Sequence, residues 1–257
     1  LLRIGHLKYF LDGGMGARTA WMLDPYLDHG GHGLKLIGPE ELRRELTGAH
    51  DAGLAAMVHA IGDGAARELV AAYGELAERD TPGPAVSHRM EHAQVIREDD
   101  IARLAALGIP VSAQPANMVL DINMIDQCYG ELGRHAYPFR SLLDAGVQLL
   151  FSSDCPVCAP NPLTFVRAAV TRARIDGTPE GGWHPQESVT LDEALFACTL
   201  GPARAYGLDD RLGSITPGKY ADIAVLDRDI HARDPQELAA TRVLLTLFDG
   251  RVVHDAM

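Results

Sequence analysis

Three side chains that can bind a divalent metal lie at or just beyond the ends of predicted β-strands. His59 and His92 each end an apolar run, and Asp154 follows a third run by two residues. In parallel α/β folds the carboxyl ends of the strands meet at one edge, where the loops carry the chemistry. Neutral imidazole together with carboxylate suits Zn²⁺ and related divalent ions. The pattern predicts a metal site at this edge, with Asp154 placed to take a proton from metal-bound water.

A lysine within the first predicted strand offers a further ligand. Lys8 lies in the apolar run HLKYFL, and Asp12 follows at the end of that run. Pairing with Asp12 or another carboxylate would give Lys8 a structural part. Burial would instead lower its pKa, and the neutral amine could take up CO₂ and become a carbamate that bridges two metals. A histidine at a strand end is also often only a hydrogen-bonded structural residue, so the structural interpretation stays open for each of these residues.

The glycine-rich segment after the first strand does not have the spacing of a phosphate-binding loop. The sequence DGGMGARTA contains neither GxGxxG nor the Walker A pattern, which disfavours a nucleotide cradle. It is typical of a tight turn that presents Arg18 toward the mouth of the site. Arg18 and Asp12 are therefore candidate substrate-binding residues, with Arg18 either anchoring an anionic substrate group or forming a structural ion pair.

Cysteine usage indicates a reducing environment. Four cysteines in 257 residues do not suggest a disulfide framework. Cys155 and Cys158 have the CxxC spacing of redox and zinc motifs, but there is no second CxxC and the pair lies late in the chain. We interpret them as ordinary reduced thiols and expect a cytoplasmic protein.

Charge and hydropathy exclude several classes of partner. The formal net charge is −12 and 47% of the residues are hydrophobic, so a sizeable core is expected and disorder is excluded as the main state. Nucleic acids and anionic membranes need a cationic face, which this balance disfavours. No apolar run reaches the about 18 residues needed to span a bilayer. The expected partner is a small-molecule substrate.

Short β-rich runs alternate with amphipathic helices through residue 174, as is typical of βα units around a parallel sheet. Five such units fall short of the eight that close a (β/α)₈ barrel, whereas an open doubly wound sheet could stop at five. Counting therefore leaves both architectures open. The strands are predicted at 6–11, 54–59, 85–92, 109–113 and 147–152, and the helices at 39–52, 64–79, 98–107, 139–145 and 161–174, with an irregular stretch after residue 113.

The remainder of the chain has a different pattern. A helix is predicted at 191–206, then a strand at 223–226 and a hairpin of 243–248 with 252–254 around the turn Asp249-Gly250. This is typical of a small all-β domain. We therefore divide the chain into residues 1–207 and 208–257.

Five segments, taken in order, resemble the motifs of a known family. The first, KYFLDGGMGARTA from Lys8, is similar to the KxFxDGxxGxRTA segment of the amidohydrolase family 3 branch, the YtcJ-like metal-dependent hydrolases. The others are HAIGD from His59, HRMEHAQ from His88, SSDCPV from Ser152 and GSITPGKYADI from Gly213. The last resembles the return from barrel to β-sandwich that the superfamily shares. The resemblance covers nearly the whole chain.

The activity that this resemblance implies is hydrolysis of amide-type C–N bonds, other than peptide bonds, by metal-activated water. The ligands that it implies are His59, His92, Asp154 and, as a carboxylated lysine, Lys8. Asp154 would also serve as the catalytic general base. The cofactor would be one or two divalent ions, with zinc as the first choice among the ions that accept such ligands.

The fold implied by the resemblance is a TIM-like (β/α)₈ amidohydrolase barrel, with about its last five βα units in residues 1–207 and part of a small β-sandwich in residues 208–257. The superfamily's first barrel strand ends in a metal-binding HxH pair, and this sequence contains no HxH. We therefore expect the sequence to begin at about the fourth barrel strand, with a missing N-terminal segment or a second copy of the chain completing the barrel. The alternative is a catalytically inactive truncated fragment, or a binding module, of the same fold. An NAD-type domain is disfavoured because the glycine fingerprint is absent.

Overall fold

The structure, a computed structural model, describes residues 4–257. The strands are β1 His6–Phe10, β2 Ala55–Ala60, β3 Arg89–His92, β4 Val111–Ala113, β5 Leu149–Phe151, β6 Ile223–Leu226, β7 Val243–Phe248 and β8 Arg251–Asp255. The α-helices are α1 Pro39–Asp51, α2 Asp63–Ala77, α3 Glu98–Ala106, α4 Pro115–Cys128, α5 Phe139–Asp144, α6 Pro162–Thr171, α7 Leu191–Cys198 and α8 Leu200–Ala205. Over residues 4–257, none of these helices combines the length and the apolar character needed to cross a bilayer.

Strands β1 to β5 form one sheet whose order follows the sequence. β1 pairs with β2, β2 with β3 and β3 with β4, each in parallel, and β5 follows β4. A doubly wound sheet instead reverses its strand order at a switch point. The sequential order is that of consecutive βα units of a (β/α)₈ barrel, which confirms the predicted fold class. β1 and β5 are the two ends of this order, so the five described strands do not close on themselves.

The alternation of side chains along β2 separates a buried face from the face that carries the candidate site. Ala56, Val58 and Ala60 are fully buried, and β2 contacts helices α1 and α2. Met57 and His59 are half-buried and alternate with these residues, so they point to the opposite face of the sheet. The small residues on the buried face allow close packing of helices, while the other face of β2 carries Met57 and His59.

The stretch predicted to be irregular after residue 113 instead contains a helix of 14 residues, α4. Pro115 lies in its first turn and Gln114 is its N-cap residue, which is a start signal that the prediction did not use. Apolar residues occur on exposed and buried sides of the helix alike, since Leu120 is 69% exposed while Met118 is buried. The sequence therefore lacks the amphipathic period that identifies a surface helix.

The single helix predicted over residues 191–206 is two helices, α7 and α8, divided at Thr199. The backbone of Thr199 leaves the helical region, with φ −126° and ψ −86°. Pro202 has no N–H to continue the hydrogen-bond ladder, but it is tolerated in the first turn of a new helix. At the start of α7, Thr190 and Glu193 form a capping box. The prediction was wrong here because it weighed the apolar pattern above the proline.

Strands β6, β7 and β8 form a separate antiparallel sheet in that order. The hairpin between β7 and β8 turns at Asp249 and Gly250, both with positive φ (49° and 73°), as a two-residue turn of this kind requires. The predicted hairpin is confirmed, and its aspartate-glycine pair is the signal that identified it.

The contacts within the chain group it into two compact units. One holds the chain up to Gln114 together with Leu120–Leu150, and the other holds Pro115–Val119 and Phe151–Met257. The three-stranded antiparallel sheet lies in the second unit. The predicted boundary between residues 207 and 208 stays a prediction, since this grouping divides the chain elsewhere.

Two histidines on the helix-covered side of the first unit form a hydrogen-bonded pair. The Ala56 amide donates to His88 Nδ1 (2.9 Å), so the proton of the neutral ring lies on Nε2, which is 3.3 Å from His50 Nδ1. The two rings stack with centroids 5.5 Å apart. Burial, with smaller effects from His50 and His6, lowers the pKa of His88 to about 4. His88 is therefore a half-buried structural residue, bonded to the backbone of β2 and to His50.

We expect His88 to make the protein less stable in acid, and His88→Asn to reduce that effect. The unfolded chain takes up this proton near pH 6.5 and the folded chain only near pH 4, so the free energy of unfolding falls as the pH drops through that interval. Because solvent screens the half-buried ring, we expect the free energy of unfolding to fall by only about 1–2 kcal/mol. Urea unfolding at pH 7.5 and pH 5 measures it, with His254→Asn on the surface as the control. If the free energy of unfolding changed equally with pH in wild type and His88→Asn, this assignment would be contradicted.

Candidate metal centre

The first predicted ligand, His59, lies near the carboxyl end of β2 and contacts the loop after β1. Its Nε2 is 3.1 Å from the Gly13 carbonyl oxygen and 3.5 Å from Asp12 Oδ1. Because a carbonyl oxygen only accepts, the neutral ring carries its proton on Nε2 and its lone pair on Nδ1. Phe10 lies beside it, with ring centroids 5.1 Å apart. The loop after β1 therefore fixes both the position and the tautomer of His59.

The second predicted ligand, His92, is brought against His59 by an unusual backbone conformation. In register, His59 is opposite Glu91, and His92 is opposite Ala60, which points to the other face. His92 and Ala93, however, have positive φ (76° and 45°), so the chain leaves the regular alternation at the end of β3. The His59 and His92 rings meet edge to face with centroids 4.4 Å apart. The structure thus brings two predicted ligands together.

The environment of His92 keeps its imidazole neutral. The residue is buried, and burial lowers its pKa to about 4, opposed by the hydrogen bond to Gln114 and assisted by the charge of Lys8. His92 Nδ1 is 2.7 Å from Gln114 Oε1. In this arrangement the lone pair lies on Nε2, which is the form of histidine that binds metals. Gln114 was not among the residues predicted from the sequence, although its place directly after β4 puts it at the same sheet edge.

Asp12 joins the end of β1 to two neighbouring loops. Its carboxylate, 1% exposed, accepts hydrogen bonds from the backbone amides of Trp21 (2.9 Å), Ile61 (3.0 Å) and Gly62 (2.8 Å). Burial raises the pKa of Asp12 to about 7, although the three N–H donors oppose the shift. These contacts give Asp12 a structural part. Its predicted contact with substrate stays a prediction.

Lys8 lies on the edge strand β1 and is exposed, so the described residues do not provide the burial that would lower its pKa. In register it is opposite Met57, and its Nζ lies 5.1 Å from the centroid of the Phe10 ring. The described sheet has no strand on the outer side of β1, which leaves the side chain in solvent. Carboxylation and metal binding by Lys8 stay predictions.

Arg18 forms the structural ion pair that was one of its two interpretations. Its Nε lies 3.0 Å from Asp28 Oδ2, and its other nitrogens donate to the Gly16 carbonyl oxygen (2.9 Å) and to Cys128 Sγ (3.0 Å). These three contacts hold the guanidinium across the turn that follows β1. A role in anchoring an anionic substrate stays a prediction.

The remaining predicted ligand, Asp154, belongs to the second unit. It is exposed, has a positive φ (53°), and its carbonyl oxygen accepts from the Val157 amide. Convergence of Asp154 with His59 and His92 therefore stays a prediction. Over residues 4–257, no three His, Cys, Asp or Glu side chains come together in an arrangement that would hold an ion. Of the four predicted ligands, the structure brings His59 and His92 together.

The hydrogen bonds of Asp12 predict a large effect on stability. Asp12→Ala would leave three inward-facing N–H groups without their acceptor, which we expect to lower the free energy of unfolding by about 3 kcal/mol or more. Asp12→Asn keeps one oxygen but places an NH₂ group against N–H donors, so we expect an intermediate decrease in the free energy of unfolding. Thermal and urea unfolding measure both, with Asp255→Ala on β8 as an exposed control. An Asp12→Ala protein as stable as wild type would contradict the structural role.

Relatives of this chain include three curated proteins that it matches over nearly its full length. It is 33% identical over 260 residues to Protein LONG AFTER FAR-RED 3 of Arabidopsis thaliana, covering 98% of the chain and 43% of that protein. It is 33% identical to N-substituted formamide deformylase of Arthrobacter pascens (97% and 45%) and 29% identical to the amidohydrolase YtcJ of Bacillus subtilis (99% and 48%). The chain therefore spans less than half the length of these relatives.

Solved structures and a family model agree with these relatives. An uncharacterized metal-dependent hydrolase from Pyrococcus horikoshii matches with a TM-score of 0.77 and 30% identity, covering 98% of this chain and 47% of that one. A second, from Pyrococcus furiosus, matches with a TM-score of 0.73 and 32% identity, covering 85% and 43%. The model described as "Amidohydrolase family" matches residues 1–254. The chain belongs to the amidohydrolase family.

Proposed function

We propose that the protein is a metal-dependent hydrolase that cleaves C–N bonds of amide type other than peptide bonds. The observation that carries the proposal is the contact of two imidazoles, His59 and the neutral His92, at the carboxyl edge of a parallel sheet. The similarity to N-substituted formamide deformylase supports the bond type, and the two Pyrococcus hydrolases support dependence on a metal. Because the chain spans less than half of these relatives, the proposal concerns the whole protein.

The chemistry of the two imidazoles fits a divalent ion. Their hydrogen bonds direct the lone pairs to Nδ1 of His59 and Nε2 of His92. Zinc is the ion that we propose, with Asp154 and, if carboxylated, Lys8 as the further ligands. From the cysteine usage of the sequence, four residues with a single CxxC pair, we also propose a reducing, cytoplasmic setting.

A divalent ion held by these ligands would supply polarisation of the substrate carbonyl and a lower pKa for water. In the proposed reaction, the carboxylate of Asp154 takes a proton from the water that attacks the carbonyl carbon. The same carboxyl group then gives the proton to the leaving nitrogen as the C–N bond breaks. His92 stays neutral throughout, and the contacts of Asp12 hold the loop against which His59 rests.

The open edge of the sheet suggests what completes the protein. Two apolar side chains of β1 lie in solvent, with Phe10 49% and Leu7 36% exposed. An open apolar edge invites pairing with another strand. We propose that a further segment of the protein, or a second copy of this chain, supplies that strand, which would also cover Lys8.

A non-catalytic binding module of the same fold is the second candidate. What keeps it open is the sequence, in which the HxH pair that the resemblance implies is not found among these 257 residues. Turnover of any amide that is lost on chelation and restored by zinc would contradict this candidate. Turnover that survives the chelator would contradict metal dependence.

We expect Asp154→Asn to abolish most activity while leaving the fold intact. Loss of one acid–base group costs about 10²–10⁴ in rate, whereas Asn tolerates the positive φ at this exposed position. The measurement is kcat on a panel of formamides and other amides, together with the melting temperature. Asp210→Asn, a second exposed carboxylate of the same unit, is the control. A variant that keeps more than a tenth of wild-type kcat would eliminate Asp154 as the base.

A further inference from the structure

Gln114 lies beside the two imidazoles and makes one hydrogen bond to His92 and one to the backbone. This residue follows β4, is the N-cap residue of α4 and is 1% exposed. Its Oε1 lies 2.7 Å from His92 Nδ1, and its Nε2 donates to the Ser112 carbonyl oxygen at 3.2 Å. Both polar atoms of one buried amide are therefore engaged, one by the backbone and one by His92.

These two contacts determine where the proton of His92 lies. The Ser112 carbonyl oxygen only accepts, so the NH₂ end of the Gln114 amide must face it and the oxygen end must face His92. An amide oxygen also only accepts, so Nδ1 of His92 carries the hydrogen. A neutral imidazole has one N–H, and the lone pair is therefore on Nε2.

The residues around His92 restrict the orientation of its ring. His92 is buried, its backbone has a left-handed conformation, and its ring meets the edge of His59. Gln114 is in turn held where β4 passes into α4, directly before Pro115. The acceptor and the ring are thus both fixed by the backbone.

We propose that Gln114 is a positioning residue that locks His92 in the Nδ1–H tautomer and so directs Nε2 toward a metal. The metal part rests on the proposed function, whereas the tautomer does not. Outer partners of this kind typically change metal affinity by about 10–100-fold when removed. The side-chain oxygen of Gln114 is occupied by His92 Nδ1, so its effect is exerted through His92.

The test is long-range ¹H–¹⁵N NMR of the metal-free protein, labelled at histidine nitrogens, at pH 8. We expect His92, assigned by loss of its signals in His92→Gln, to be in the Nδ1–H form in wild type. Gln114→Met should yield the other tautomer or a mixture, and Gln114→Glu, which keeps an acceptor, should restore the wild-type form. Gln94→Met is the control, since Gln94 is buried two residues from His92 and no described contact joins their side chains.

A wild-type His92 in the Nε2–H form would overturn the inference even if Gln114→Met failed to fold, and so would an unchanged tautomer in a folded Gln114→Met. Zinc titration of the same proteins separates the two proposals. Affinity that falls about 10–100-fold in Gln114→Met, and recovers in Gln114→Glu, supports both. A changed tautomer with unchanged zinc affinity supports the tautomer lock and contradicts His92 as a ligand.

Discussion

The buried carboxylate of Asp12 is the contact on which the local geometry of the site depends. It accepts from one backbone amide in the loop after β1 and from two in the loop after β2, so two parallel strands are joined at their carboxyl ends by a single side chain. The join is tight, since a Cβ at Gly62 would lie 2.0 Å from the Trp21 carbonyl oxygen. The Gly13 carbonyl oxygen, the next residue along, is the acceptor for His59. This join therefore helps to hold the loop that orients His59 against the end of β2.

A second constraint is that the two imidazoles meet in a buried place. Burial penalises the imidazolium form of His92 and keeps a lone pair available. The contacts with Gly13 and Gln114 then decide which nitrogen holds it in each ring. Neutral rings with directed lone pairs are what a divalent ion requires, and this agrees with membership of a family whose solved relatives are described as metal-dependent hydrolases.

The strand order and the placement of His59 and His92 at one edge of the sheet follow from features that the sequence shows: alternating units, and ligand-type residues at strand ends. The residues of β1 could not decide whether Lys8 is buried, because burial depends on whether a neighbouring strand covers β1, and the described sheet has no strand there. Gln114 was missed because its importance lies in a contact with a residue 22 positions away. The approach of His92 to His59 likewise depends on a left-handed backbone that strand alternation does not predict.

The central claim, that His59 and His92 bind the metal, is tested most directly by X-ray absorption spectroscopy at the zinc edge of the zinc-loaded protein. The account predicts at least two imidazole nitrogens at about 2.0–2.1 Å. It also predicts that this imidazole signal decreases in His59→Ala and in His92→Ala. A zinc environment without imidazole, or one that neither substitution changes, would contradict the claim.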